Sequence, residues 1–487
     1  MVGGPARRSI VHRAGNLMNT ASPSEKLSWR DPDGFIVNCQ GRILRAVAAG
    51  KADQTRALIR SQWMIRLIDQ GAIPDTKEAL DPPPLEDACG QWLWLQHRRL
   101  GFPCYPHEIT ALQLYDSGQL TLDIAIEAAK NGWTLKDASA WNVLHSGGRA
   151  VFVDFLSFDR NTPTGTWVAY GQFVRHFLLP LLLHRKLQMT PVDVFLNSRD
   201  GIAPERAFQL LRAHRLISPI GIEFVVLPKL LERASSRLVT TRRQPTTQSI
   251  APEIAGELML GTLHRLKRAL GRLRPDQARG ESVWKRYQED RPHYSEADLA
   301  AKKDFVRRNL QDCETVLDLG CNAGEYSLLA AECGKTVVAA DSDHAALSRL
   351  SARVRDEAIP VTPLMLNLGR PTPAIGWRNR EVESFLERAA GQFDCILLLG
   401  MIHHLLVTER ATLPMICDLL DYLEPKRVIL EWIDPADEKF QQLAGFNWTL
   451  YSRLNAAKLE SCLTGKFRIF AKLALPSAPR IMYSWYR

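Results

Sequence analysis

The stretch from Val316 to Asp343, VLDLGCNAGEYSLLAAECGKTVVAADSD, constrains this chain more than any other. Thr315 to Leu319 reads as a buried strand, GCNAG as a tight turn, EYSLLAAEC as the opening of a helix and KTVVAADSD as a second strand. A strand, a glycine turn and a helix together set bare backbone amides and the positive end of the helix against a ligand. Gly320 lets the chain turn sharply, and Gly324 leaves room for a ligand to approach the backbone. Asn322 stands where a third glycine often stands, and asparagine tolerates left-handed backbone better than other non-glycines. Asp341 ends the second strand 23 residues after Asp318, the place for a carboxylate that grips ribose hydroxyls.

The pattern is D-x-G-x-x-x-G, not the G-x-G-x-x-G of dinucleotide enzymes. An acid ahead of the turn repels a pyrophosphate and suits a cationic ligand, and S-adenosylmethionine has an ammonium, a sulfonium and no phosphate. With VLDLGCNAGEYS, the acid of VVAADSD, MLNLGRPTPAIGW, FDCILLLGMIHHLL and RVILEWID in this order, residues 282–487 resemble class I S-adenosylmethionine-dependent methyltransferases. The resemblance implies roles. Asp318 orients the cofactor's amino group, directly or through water; Gly320, Asn322, Gly324 and Gly400 line its path; Asp341 holds the ribose; Asn367 sits near the adenine, where relatives more often have aspartate. His403 and His404 follow the fourth strand, where ligands bind in open α/β sheets, so one of them is a candidate base for the acceptor's proton. The segment SVWKRYQEDRPHYSEADLAAKKDFV precedes the first strand, and in related methyltransferases such a segment lids the cofactor, which would bring Tyr287, Tyr294 or Lys302 to the site.

A second cluster lies in the N-terminal half. In LKDASAWNVL…AVFVDFLSFD, Asp137 and Asn142 are five apart, and Asp154 follows a glycine-turn hairpin. This spacing resembles the catalytic loop and metal-holding aspartate of protein kinases and small-molecule phosphotransferases. Lys136 replaces the usual arginine, Leu156 stands where glycine is expected, and no Gly-rich loop or V-A-I-K strand precedes them. The loop reads as a kinase-like remnant. The stretches KDASAWNVL, VFVDF, NLGRPTPAIGWRNRE and MIHHLL also resemble, more loosely, bacterial two-part methyltransferases that include host-specific nodulation proteins of rhizobia. That resemblance implies a role in making or modifying a secreted signal or surface saccharide.

The expected organisation is a flexible arm at 1–30, a degenerate kinase-like α+β region at 31–262, a linker helix at 263–281 and a Rossmann-like α/β domain at 282–487. Within it, DPDGFIVNCQGRILRAV reads as a β-hairpin, residues 91–133 as mostly helical, and 167–270 as largely helical. FLLPLLL, Phe177 to Leu183, is too short for the ~20 residues of a membrane span and reads as a buried helix. The net charge of +9 comes from 62 bases interspersed with 53 acids, which describes a solvated surface better than a nucleic-acid groove. The nine cysteines form no C-x-x-C pair, which supports neither a zinc site nor a redox centre and fits a reducing cytoplasm. The leading expectation is methyl transfer to an unidentified small molecule or saccharide, with no metal. The alternatives are a kinase-like phosphotransferase with a nucleotide-sensing C-terminal domain, or a non-catalytic regulatory protein. Acceptor and oligomeric state leave no signature in the sequence.

Overall fold

The computed structural model describes residues 25–28, 31–81, 92–160, 165–212, 216–230, 251–275 and 294–487. Trp284, Tyr287, most of the expected arm and the end of the expected linker helix lie outside them. By internal contacts the chain divides into two compact units, 1–57 with 76–99, and 58–75 with 100–487. This division does not follow the expected boundaries at 262 and 281.

The smaller unit is a five-stranded sheet in the order β1-β2-β3-β5-β4, comprising β1 (Glu25–Lys26), β2 (Gly34–Cys39), β3 (Arg42–Val47), β4 (Thr76–Glu78) and β5 (Leu93–His97). The expected hairpin is β2–β3, antiparallel, turning at Gln40 and Gly41, both with positive φ, as a two-residue hairpin turn requires. Two expectations are corrected. Glu25 and Lys26 form an edge strand on β2 and not a flexible arm. Leu93–His97 is a strand and not helix, because β3 and β4 pair with it on either side.

The larger unit holds two short antiparallel pairs. β6 (Trp133–Leu135) pairs with β9 (Phe158–Arg160), and β7 (Val143–Ser146) pairs with β8 (Arg149–Phe152) across Gly147–Gly148. The helix Ala111–Lys130 opens on a reciprocal cap between Thr110 and Gln113. Phe177 to Leu183 is buried in a helical run, as expected. The helix expected as a linker begins at Pro252 and runs to Gly271. Leu263, Leu266 and Leu270 are fully buried, and the helix packs on Ala111–Lys130. The leucines therefore build core.

The centre of this unit is a seven-stranded sheet, order β12-β11-β10-β13-β14-β16-β15. Its strands are β10 (Thr315–Leu319), β11 (Thr336–Asp341), β12 (Val361–Met365), β13 (Cys395–Leu398), β14 (Arg427–Ile433), β15 (Arg468–Ala474) and β16 (Arg480–Tyr486). β10 to β14 are parallel, and β16 runs antiparallel to both β14 and β15. The central strands read as apolar runs because helices cover both faces of a parallel sheet. Val316, Leu317, Val337, Ala339, Leu397 and Ile429 are fully buried, each aliphatic side chain larger than alanine contributing about 1.5–3 kcal/mol. The chain leaves β10 toward β11 on one side and returns to β13 on the other. That reversal opens a crevice at the carboxyl ends of the strands.

A buried polar seam ties residues 103–147 to this sheet. Arg388 pairs with Glu108 and donates to the Pro103 carbonyl at 2.7 Å, and Thr372 donates to Glu108 at 2.6 Å. Gln113 donates to the Pro363 carbonyl at 3.0 Å, and the Gly147 amide to Thr362 at 2.7 Å. The Ala111 amide at the start of the long helix donates to His344 Nε2 at 3.0 Å. His344 opens the helix that follows β11, so the seam braces the turn carrying Asp341.

Candidate active site

At or just beyond the ends of β10, β11, β12 and β13 lie residues that the sequence singled out. Leu319–Gly320, Ala340–Asp341, Leu366–Asn367 and Leu399–Gly400 converge on one cleft of about 310 Å3. Cys321, Asn322 and Tyr326 continue its wall, and Met401, His404, Thr408 and Glu409 face them. Tyr294, Leu299 and Lys302 close it from the segment ahead of β10.

The turn after β10 is held by left-handed backbone, with φ of +78° at Gly320, +51° at Asn322 and +83° at Gly324. Gly320 lines the cleft, and a Cβ there would meet Met401 Sδ at 2.9 Å. Gly324 does not line it. A Cβ on Gly324 would meet Leu350 Cδ1 at 2.5 Å, so its smallness serves helix packing and not the approach of a ligand. Gly324 also begins the helix Glu325–Glu332.

Asp341 is fixed from two sides. Its Oδ2 accepts from the Asn322 amide at 2.7 Å and its Oδ1 from the Asp343 amide at 2.8 Å. Burial raises its pKa, and the two amides offset that rise only in part while they orient the carboxyl group on the cleft wall. Asp318 is different. It is 2% exposed, lies behind the wall and accepts from Ser327 Oγ at 2.6 Å. Burial lifts it to about 7, against the hydrogen bond from Ser327. Asn367 is on the wall, but its Oδ1 accepts from the Gly369 and Arg370 amides and its Nδ2 donates to Glu409 at 3.3 Å.

The two histidines part company. His404 lines the cleft. His403 is 4% exposed, its ring lies 6.4 Å from that of Phe440, and among the described residues its Nδ1 has no hydrogen-bond partner. Burial lowers the pKa of both, and His404 and Arg480 push His403 further down.

The sequence reading did not find the network beneath the cleft. Lys302 pairs with Glu431 at 2.7 Å, and Tyr294 donates to Glu431 at 2.7 Å. Arg480 lies 3.7 Å from Glu431 and grips Asp437 through Nε at 2.8 Å. Burial pushes Glu431 up, but Lys302, Arg480 and Tyr294 outweigh it and hold the carboxylate below its usual range. Glu431 was visible as the one charge within VILEWI, a strand that is buried throughout. Such a charge needs a cation. The cationic Lys302 then borders the cleft between Tyr294 and Tyr326, 5.2 and 4.9 Å from their ring centres.

These groups fit S-adenosylmethionine. The cleft offers a carboxylate fixed by two amides, a lysine paired with Glu431 and the positive end of a helix, and its lining holds no cluster of bases for a polyphosphate.

Residues 287–464 match the family described as a methyltransferase domain. Nodulation protein NoeA of Rhizobium meliloti (strain 1021) is 27% identical over 465 residues, 94% of this chain and 95% of that protein. Among solved structures, WbdD aligns at 23% identity over 39% of each chain with a TM-score of 0.29, and so spans well under two thirds of WbdD. The N-methyltransferase NodS from Bradyrhizobium japonicum WM9 aligns at 13% identity over 40% of this chain and 98% of its own, with a TM-score of 0.29. Among the described residues, no helix is long and apolar enough to cross a membrane. The methyltransferase-domain match thus falls on the C-terminal region that builds the cleft, and does not extend over the chain as a whole.

Proposed function

We propose that this protein transfers a methyl group from S-adenosylmethionine to a small molecule or saccharide, in the making or modification of a secreted signal or surface saccharide. The observation that carries the cofactor assignment is Asp341, held at the carboxyl end of β11 by the Asn322 and Asp343 amides. The NoeA relationship along nearly the whole chain supports the biological setting.

When bound, the cofactor supplies an electrophilic methyl carbon. Asp341 accepts from the ribose hydroxyls, Lys302 faces the carboxylate of the methionine part, and the Gly320–Asn322 backbone and Asn367 complete the pocket. Asp318 acts from behind the wall by bracing the turn through Ser327. In this reading His404, which lines the cleft, takes the acceptor's proton. Much of the rate comes from positioning two reactants in a site closed to water. The region around Asp137, Asn142 and Asp154 serves as a kinase-like frame that presents the acceptor. Calorimetric titration of the protein with S-adenosylmethionine, ATP with magnesium, and NAD in parallel tests the assignment. Binding of the first alone is expected, and tight binding of ATP–magnesium without S-adenosylmethionine overturns it.

A further inference from the structure

A second, larger groove of about 890 Å3 adjoins the cofactor cleft, and Thr408 lines both. It begins within one helical turn of His404, since Leu406 lines it and the Thr408 amide donates to the His404 carbonyl at 2.8 Å. Its walls come from the end of the helix Ile402–Val407, the start of Leu413–Tyr422, the 3-10 turn Gly445–Leu450 and the helix Ala456–Leu463. The lining is aliphatic, with Leu406, Leu413, Leu443 and Leu454, and with Tyr451 donating to the Leu406 carbonyl at 3.3 Å. Leu450, also on the lining, is 73% exposed, and Phe446 on the same turn is fully exposed. Large apolar side chains left in water beside a groove mark a surface that something covers.

The charges select the occupant. Arg410 and Lys458 line the groove and no carboxylate does. Both are exposed, and among the described residues neither makes an ion pair. Arg410 is held at φ +56°, a conformation that costs a non-glycine residue on the order of 1 kcal/mol.

We propose that this groove seats the methyl acceptor, and that the acceptor is an anionic amphiphile. An aliphatic chain lies along the leucines and an anionic head meets Arg410 and Lys458. The inference rests on the methyltransferase reading above and narrows its acceptor class. It also gives the segment between β14 and β15 a task, since the residues from Leu443 to Lys458 build one whole wall.

Calorimetry on the full chain tests it with three probes: dodecyl phosphate and dodecyl maltoside, each below its micelle concentration, and inorganic phosphate. Dodecyl phosphate should bind about 10-fold or more tightly than the maltoside, as hydrogen bonds to charged groups predict, and inorganic phosphate should give no heat. The double variant Arg410→Glu, Lys458→Glu should erase that preference while S-adenosylhomocysteine binds as in the wild type, which also reports that the variant is folded. Leu450→Ser should weaken both detergents alike. Equal affinity for the two detergents, or a preference that survives the double charge reversal, overturns the proposal. Failure of the wild type to bind S-adenosylhomocysteine overturns the underlying reading and this one with it. Normal cofactor binding without the detergent preference overturns only the acceptor.

Discussion

Two places in this molecule hold the same ingredients, two aspartates and an asparagine within a short reach, and use them differently. At the sheet edge, backbone amides from two turns fix the Asp341 carboxylate on the wall of a cleft. In the N-terminal loop the groups satisfy their own neighbours. Asp137 accepts from the Ser139 amide at 2.8 Å, Asp154 accepts from Ser157 Oγ and from the Leu156 amide, and Asn142 donates to Ser157 at 3.3 Å. Burial raises the pKa of Asp137, and the nearby Asp154 adds to it. Residue type and spacing suggested chemistry at both sites. What separates them is that the amide-held carboxylate of Asp341 lines a cleft, while those of the loop are taken up by their own neighbours.

The largest effect expected is at the histidine pair. His404→Ala should cut methyl transfer roughly 10²- to 10⁴-fold, measured as labelling of cell extract with a radioactive methyl donor, with S-adenosylhomocysteine affinity unchanged. His403→Ala should shift only thermal stability. The rate should fall on acidification through a pKa below the usual 6.5, because burial lowers that of His404. Full labelling by the His404 variant would show that positioning alone carries the reaction.

Asp318 sharpens the contrast through pH. Its carboxyl titrates near 7 when folded and near 3.8 when unfolded. The folded state therefore binds the extra proton between these values. The resulting stability is complete below about pH 4 and lost as pH rises through about 7. Asp318→Asn should stabilise the protein at pH 8 by on the order of 2–4 kcal/mol and leave it nearly unchanged at pH 4, by urea denaturation. A pH-independent difference would contradict the burial of the Asp318 carboxyl.

How much of this was legible in advance follows from range. β10, its glycine turn and β11 were readable because a strand, a turn and a helix carry their signals locally. β5 was not, since LWLQH becomes a strand only by pairing with β3 and β4. The helix expected from 263 was legible, but the surface that buries its Leu263, Leu266 and Leu270, the helix Ala111–Lys130, was not. Asp341, Asn367, Gly400 and His404 reach the cleft because motif order encodes strand ends. Gly324 and His403 lie in the same motifs yet face the core, because side-chain direction in a turn depends on what packs behind it. Glu431 and Arg480 meet only because β14 and β16 are neighbours in the sheet.

A smaller effect is expected in the loop. Asp154→Asn should lower stability by about 1–2 kcal/mol, since it weakens the bonds to Ser157 and Leu156. Thermal denaturation measures it, and an unchanged melting temperature would mean that the loop does not depend on that charge.

One titration tests the comparison most directly: S-adenosylhomocysteine into the wild type, Asp341→Ala and Asp154→Asn, with the fold checked by circular dichroism. Loss of a charge-assisted bond to the ribose should weaken the Asp341 variant about 10- to 100-fold, while the Asp154 variant matches the wild type. Equal affinity in the wild type and the Asp341 variant, or a loss confined to the Asp154 variant, would contradict the account.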